Sequence, residues 1–83
     1  MASVKWTEES LRDLNTLDFL VAKRIISKIS WLCENFESIT PEPLHRNLRR
    51  MYKVRVGDYR AVYEINQKLI VIKFVGHRKD VYK

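Results

Sequence analysis

The sequence predicts an α+β fold in which an N-terminal strand and a helical hairpin precede a three-stranded antiparallel meander. The first observation is a change in the spacing of apolar residues, from a period of about 3.6 in the first half to about 2 in the second. The second observation is that short turn signals, "GD" and "NQK", separate three β-rich runs. Because the helices come before the meander, they are expected to pack as a layer on one sheet face.

The first half predicts each of its elements from local signals. "SVKW" alternates apolar and polar residues, which is typical of a short opening strand. Thr7 precedes two glutamates and predicts a helix N-cap, with the helix beginning near Glu8. "NTLD" interrupts the helical pattern before it resumes over residues 22–36, and the prolines of "TPEP" require the second helix to end. A crossing segment ending in "HRNLRR" then leads to the meander.

The runs "MYKVRV", "YRAVYEI" and "LIVIKFV" predict the meander and its register. If Gly57 and Asp58 form a two-residue turn, Arg55 pairs with Arg60. The tyrosines and most aliphatic residues of the hairpin then share one face, suited to packing on the helices, and the other sheet face is expected to be free. That free face carries Lys53, Arg55, Arg60, Val62 and Glu64.

A second turn at Gln67 and Lys68 extends the same alternation into the last strand. It predicts that Ala61 lies opposite Phe74 and that Lys73 lies beside Val62 on the charged face. We call Lys53, Arg55, Arg60 and Lys73 the cationic strip.

Composition sets the class of protein. The 83 residues form a single predicted domain, 1–83, and the formal net charge is +6. Residues 1–41 hold 5 Lys/Arg and 6 Asp/Glu, whereas residues 42–83 hold 11 Lys/Arg and 4 Asp/Glu, so the excess of cations belongs to the second half. The single cysteine, Cys33, is expected to be a buried thiol and suits a reducing cytoplasm. No run of residues approaches a membrane span.

The cationic strip has two interpretations. Surface lysines and arginines usually extend into water, and this is our interpretation of Lys23, Arg24 and Lys28 on the second helix. In the meander, however, Arg55 faces Arg60 and the hairpin register places no carboxylate opposite either, which destabilises a sheet unless an anion binds there. Arginine pairs with phosphate through two parallel hydrogen bonds, so an extended phosphate backbone is the favoured ligand.

No cofactor or metal is predicted. His45 and His77 lie in dissimilar segments with no Cys or acidic residue at ligand spacing. No Gly-rich loop that would cradle a nucleotide is present in the sequence. The ending "GHRKDVYK" adds an imidazole, a guanidinium and an aromatic ring close to the strip.

The segments "LRRMYKVRVGDYRAVYEI" and "IKFVGHRKDVYK" resemble the RelE/ParE superfamily of bacterial and archaeal toxins, on the RelE side. The resemblance covers the whole chain and implies a ribosome-dependent mRNA interferase, which cuts the message in the ribosomal A site without a metal. It also implies an antitoxin encoded by an adjacent gene, ribosome and mRNA as further partners, a toxin–antitoxin heterotetramer and a cytoplasmic location.

The resemblance carries site residues by position. The residues that match the family's catalytic strip are Lys53, Arg55, Arg60, Arg78 and Tyr82. His77 lies at a position where some relatives have an ionisable residue, and it is a further candidate. Further cations expected to contact RNA are Arg46, Arg49, Arg50, Lys73 and Lys79. No general base is obvious, because Glu64 lies near the far end of the strip: Lys53, Arg55 acting only as a charge, or His77 has to manage proton transfer. The alternatives are a ParE-like gyrase poison and a binding module with this fold that cleaves nothing.

Overall fold

A computed structural model of the chain describes residues 1–44 and 50–81. Its elements, in chain order, are β1 Ser3–Trp6, α1 Glu8–Asn15, α2 Phe19–Glu34, β2 Glu42–Pro43, β3 Met51–Val56, β4 Tyr59–Asn66, β5 Leu69–His77 and α3 Arg78–Val81. The strands form one sheet in the order β1-β5-β4-β3-β2, with β1 parallel to β5 and the other pairs antiparallel. The predicted α+β class, opening strand, helical hairpin and meander are confirmed.

The helices α1 and α2 begin at side-chain caps. The Thr7 hydroxyl accepts a hydrogen bond from the Ser10 amide at 3.1 Å, and the Asp18 carboxylate accepts one from Leu20 at the same distance. These side chains satisfy amides that have no partner within the first helical turn. The helices therefore begin where the "WTEE" and "TLDF" segments place a capping residue before the helix.

The core lies between α2 and one face of the sheet. The residues of α2 that are buried against it recur at spacings of three and four, and they are Ile25, Ile29, Leu32 and Cys33. Burial raises the pKa of the Cys33 thiol, with a smaller contribution from the charge of Glu34, which fits the inert thiol that the sequence predicts. In the part of the chain that the structure describes, no helix is long and apolar enough to cross a membrane.

The first hairpin has the predicted register. Val56 pairs with Tyr59 and Arg55 with Arg60 across the turn. Gly57 has a φ of 61°, a left-handed conformation that residues with a Cβ rarely adopt, so the residue type and the tight turn agree. The side of each strand that faces the helices is therefore fixed by the turn.

The second hairpin departs from its predicted register through a β-bulge. Ile65 and Tyr63 pair as expected, but Ala61 lies opposite Val75, and Phe74 rather than Lys73 lies opposite Val62. Lys73 is the extra residue of β5, so the prediction that it lies beside Val62 is wrong. The bulge places Val75, not Phe74, on the core face.

Asp13 of α1 and Thr7, the N-cap of α1, form hydrogen bonds that stabilise the bulge. The Asp13 carboxylate accepts the Val75 amide at 2.9 Å, and the Thr7 hydroxyl donates to the Ile72 carbonyl at 2.8 Å. The same hydroxyl lies 3.1 Å from the Lys73 carbonyl. Backbone groups displaced by the extra residue thus find partners outside the sheet. An alternation pattern read along one strand cannot reveal partners from another element.

The sheet face opposite the helices is not fully free, which corrects a second expectation. Val62 is 0% exposed although it lies on that face, and Leu44, which donates its amide to the Met51 carbonyl at 2.9 Å, is also buried. Neither belongs to the main core cluster. With Phe74 opposite Val62, this face has a small apolar centre, and its charged residues lie around that centre.

Neighbouring isoleucines on α2 test the position of the core. Ile25 is 0% exposed and Ile26 is 47% exposed. We expect Ile25→Ala to lower the free energy of unfolding by about 2–5 kcal/mol, because it removes buried methyl groups and leaves a cavity. Ile26→Ala, the matched control, should change it by about 0.5 kcal/mol or less. Urea denaturation measures both, and equal losses would contradict the orientation of α2.

Candidate functional site

The cationic strip is centred on the β3–β4 pair. Arg55 and Arg60 lie directly opposite one another, and Arg60 is paired on its other side with Gly76, which has no side chain. Lys53 precedes Arg55 by two residues, lies on the same face and pairs with the buried Val62. Three cations are therefore held on adjacent positions of two paired strands, where their backbone geometry is fixed.

A carboxylate that the sequence analysis missed lies among these cations. Glu42 on β2 pairs with Lys53, and its Oε1 is 3.2 Å from Arg55 Nη2 and 3.8 Å from Lys53 Nζ. The expectation that no carboxylate opposes the hairpin's cations is therefore wrong. Glu42 partly offsets the repulsion between Arg55 and Arg60, and it supplies a group able to accept a proton.

The two prolines that flank Glu42 indicate an extended edge strand, although "TPEP" was expected only to end the second helix. Glu42 lies between Pro41 and Pro43, and proline biases the preceding residue to extended backbone. Proline also restricts a strand to the edge of a sheet, and β2 is the edge strand next to β3. Its two residues are too few for a periodicity argument to detect.

The Glu42 side of the strip opens into a cleft of about 310 Å³ at the β2–β3 edge. Lys53 and Glu42 line it, and the Lys53 side chain is only 12% exposed. Tyr63 also lines it, and its pKa is raised to about 12, first by burial and then by the charges of Tyr52 and Glu42. The phenol therefore stays neutral at physiological pH and remains able to donate a hydrogen bond.

The remaining members of the predicted site lie farther from this centre. The Lys73 Nζ is 3.9 Å from Glu64 Oε1, and Arg50 is exposed and lines a pocket of about 410 Å³ with Glu64 at the far end of the hairpin. Lys73, a member of the strip, is thus paired with a carboxylate, and Arg50 lies outside the strip. Arg46, Arg49 and Tyr82 lie outside the described residues.

The residues after β5 begin near the turn of the first hairpin. The Arg78 amide donates to the Asp58 carbonyl at 2.8 Å, and Arg78 and Lys79 are exposed. His77 pairs with Tyr59, and their rings meet edge-on with centroids 5.4 Å apart. Tyr59 packs against the main core, so His77 lies on the helical face, whereas Arg60 lies on the opposite one. The structure brings Lys53 and Arg55 together with Glu42 and places Arg60 opposite Arg55, whereas His77 lies on the other face.

This arrangement has a definite chemical capacity. Fixed guanidinium and ammonium groups bind an anion and stabilise negative charge that develops on it. A carboxylate within the same cluster can remove a proton from a bound hydroxyl. Among residues 1–44 and 50–81, no group of three or more His, Cys, Asp or Glu side chains is placed to hold a metal ion.

Comparisons with known proteins agree on one family. The family model for ParE toxins of type II toxin–antitoxin systems matches residues 4–82. Toxin RelE3 of Methanocaldococcus jannaschii is 30% identical over an alignment of 83 positions, which spans 95% of this chain and 93% of that protein.

Solved structures extend the agreement to the fold. The toxin–antitoxin complex RelBE2 of Mycobacterium tuberculosis contains a chain that is 28% identical, with a TM-score of 0.79, over 93% of this chain and 98% of that one. The RelB–RelE complex of Methanococcus jannaschii gives 26% identity and a TM-score of 0.73, covering 93% of each chain. The chain thus belongs to the RelE/ParE superfamily and is a toxin of a type II toxin–antitoxin system.

Proposed function

We propose that this toxin is a ribosome-dependent endoribonuclease that cuts messenger RNA in the ribosomal A site. The observation that carries the proposal is that Arg55 lies opposite Arg60 while the Glu42 carboxylate is 3.2 Å from Arg55 Nη2 and 3.8 Å from Lys53 Nζ. A toxin that acts only by binding a protein does not need cations and a proton acceptor on one rigid surface. The RelE relatives support the same activity class.

The proposed reaction is attack of a ribose 2′-hydroxyl on the adjacent phosphorus. The 2′ O–P bond forms and the bond from phosphorus to the 5′ oxygen breaks, which leaves a cyclic phosphate and a 5′-hydroxyl. Negative charge builds on the phosphoryl oxygens in the transition state. Arg55 and Arg60 are held next to each other by paired strands, so little backbone reorganisation would be needed for them to stabilise that charge.

Two protons have to move in this reaction. We assign removal of the 2′-hydroxyl proton to Glu42, since its carboxylate lies within the cationic cluster. The leaving 5′ oxygen has to take up a proton, and we propose that its donor is one of His77, Arg78 and Tyr82, which the family resemblance places in or beside the catalytic strip. The face that His77 shares with Tyr59 makes it the weakest of the three.

The partners follow from the family and the charge. The structural relatives are toxins in complex with antitoxins, and we propose that a cognate antitoxin encoded beside this gene neutralises the chain, in a heterotetramer. With a net charge of +6, the chain is expected to bind an antitoxin segment rich in acidic residues. Ribosome, message and a cytoplasmic location belong to the same proposal.

A ParE-like gyrase poison is the second candidate, because the matching family model is that of the ParE toxins. A third is a toxin-fold module that binds its antitoxin and cleaves nothing. Inhibition of purified gyrase without RNA cleavage would support the ParE-like function. If the protein binds its antitoxin but neither cleaves RNA nor inhibits gyrase, the inactive module would be supported.

Arg60→Ala in a translating extract tests the nuclease. Wild-type protein should generate new message 5′ ends at A-site positions, mapped by primer extension, only when ribosomes are present. Arg60→Ala should abolish these ends, because it removes charge that stabilises the transition state. Arg12→Ala, an exposed arginine on α1, is the matched control and should cut like wild type. Cleavage by Arg60→Ala at the wild-type rate would reject the assigned face.

Glu42→Gln tests the assignment of the base. The amide keeps the shape of the carboxylate but cannot accept the 2′-hydroxyl proton, so the cleavage rate should fall by about 10²- to 10⁴-fold. Glu64→Gln changes the other carboxylate of this face, paired with Lys73 at 3.9 Å, and should cut near the wild-type rate. Single-turnover cleavage on programmed ribosomes measures both. Equal rates for the two variants would remove Glu42 from the chemistry.

A further inference from the structure

A second cationic cleft lies between α2 and the edge of β3. It has a volume of about 670 Å³ and is lined by Lys23, Arg24, Ser27, Lys28, Trp31, Arg55 and Val56. We call it the α2 cleft. Four of these residues are cations, and none carries a carboxylate. The lysines and arginine of α2 were expected to extend into water, because their sequence positions do not reveal that Arg55 also lines this cleft.

Among the described residues, no carboxylate forms an ion pair with a cation of α2. In the described part of the chain, neither Lys23 nor Arg24 has a carboxylate within 4.0 Å. Arg24, Lys28 and Trp31 are separated by four and three residues, so they lie on one side of the helix. The charged residues Lys23, Arg24 and Lys28 all line the same cleft, which favours the binding of a polyanion there.

Trp31 gives the cleft a feature beyond charge. Its side chain is 43% exposed, and the Lys28 Nζ lies 4.1 Å from the centroid of its ring. An exposed indole is a platform on which a nucleobase stacks, and cations beside it hold the phosphates on either side of that base. This combination is typical of sites for single-stranded nucleic acid.

The α2 cleft is continuous with the candidate active site. Arg55 lines the α2 cleft and also lies 3.2 Å from Glu42. The smaller cleft that contains Glu42 and Lys53 shares Lys28, Trp31 and Arg55 with the α2 cleft. A polymer bound to the cationic strip can therefore pass Arg55 at the β3 edge and enter the α2 cleft without leaving a basic surface.

We propose that the α2 cleft is a second RNA subsite, which binds a single-stranded stretch of the same message that is cut at the strip. This inference rests on the proposed nuclease function. Trp31 stacks on a base, while Lys23, Arg24 and Lys28 contact the phosphates. The subsite adds affinity and holds the message in register at Arg55. An acidic antitoxin peptide would use the same charges, and the experiment distinguishes the two occupants.

The probe is a single-stranded 2′-O-methyl oligouridine of about ten nucleotides, a length within the range of single-strand sites. It lacks the 2′-hydroxyl and cannot be cut by the proposed reaction. Fluorescence anisotropy at several salt concentrations gives its affinity. We expect Lys23→Gln with Arg24→Gln to weaken binding about tenfold and to reduce the salt slope by about 1.4, since each phosphate contact on a single strand contributes about 0.7.

The control changes the same residue types elsewhere. Lys5→Gln with Arg12→Gln removes one lysine and one arginine from exposed positions on β1 and α1, and it should leave the salt slope near wild type. Trp31→Ala should weaken binding about 5- to 100-fold, and Trp31→Phe should retain more affinity because it keeps a ring. Circular dichroism melts establish that each variant is folded.

Several results would overturn the subsite. Equal weakening by the two double variants would show a general charge effect. Unchanged oligonucleotide affinity combined with weaker antitoxin binding would assign the α2 cleft to the antitoxin peptide. Failure of the subsite is distinct from failure of the nuclease: a wild-type protein that cuts messages while its cleft variants bind RNA normally contradicts the subsite alone. Cleft-dependent RNA binding with no cleavage contradicts the nuclease alone.

Discussion

The two-residue turn at Gly57 and Asp58 is the constraint on which the site depends. In a β-strand, successive side chains point to opposite faces, so adding or removing one turn residue would move every later side chain of β4 to the other face. With Gly57 at a φ of 61°, Arg55 lies opposite Arg60 and the apolar residues face α2. Packing of the hydrophobic core thereby holds the like charges of Arg55 and Arg60 opposite each other, an arrangement that destabilises a sheet when considered alone.

That electrostatic penalty explains the importance of β2. Its two residues bring Glu42 to Lys53 and within 3.2 Å of Arg55, so the cationic cluster contains a carboxylate before any ligand arrives. A polyanion that binds here competes with Glu42 for Arg55. Under the proposed function, Arg55 would exchange its contact with Glu42 for a phosphate, which would leave Glu42 next to the ribose–phosphate backbone.

The parts of the fold that were predictable are those encoded by local pattern. The Thr7 cap, the buried spacing of Ile25 and Ile29, and the first hairpin register each follow from residues close together in sequence. The bulge at Lys73 was not predictable in this way, because its displaced backbone groups are satisfied by Thr7 and Asp13, more than sixty residues earlier. Glu42 was missed because two-residue β2 has no period, and the α2 cleft because it joins a helix to a distant strand.

The chemistry of the cut ends tests the central claim most directly. Messages cut by the purified protein in a translating extract can be labelled by polynucleotide kinase, with and without prior phosphatase treatment. Attack by the 2′-hydroxyl leaves a 5′-hydroxyl, so the account predicts full labelling without phosphatase. Fragments that accept label only after phosphatase treatment would carry 5′-phosphates. That result would contradict in-line 2′-hydroxyl attack at the Lys53, Arg55 and Arg60 cluster.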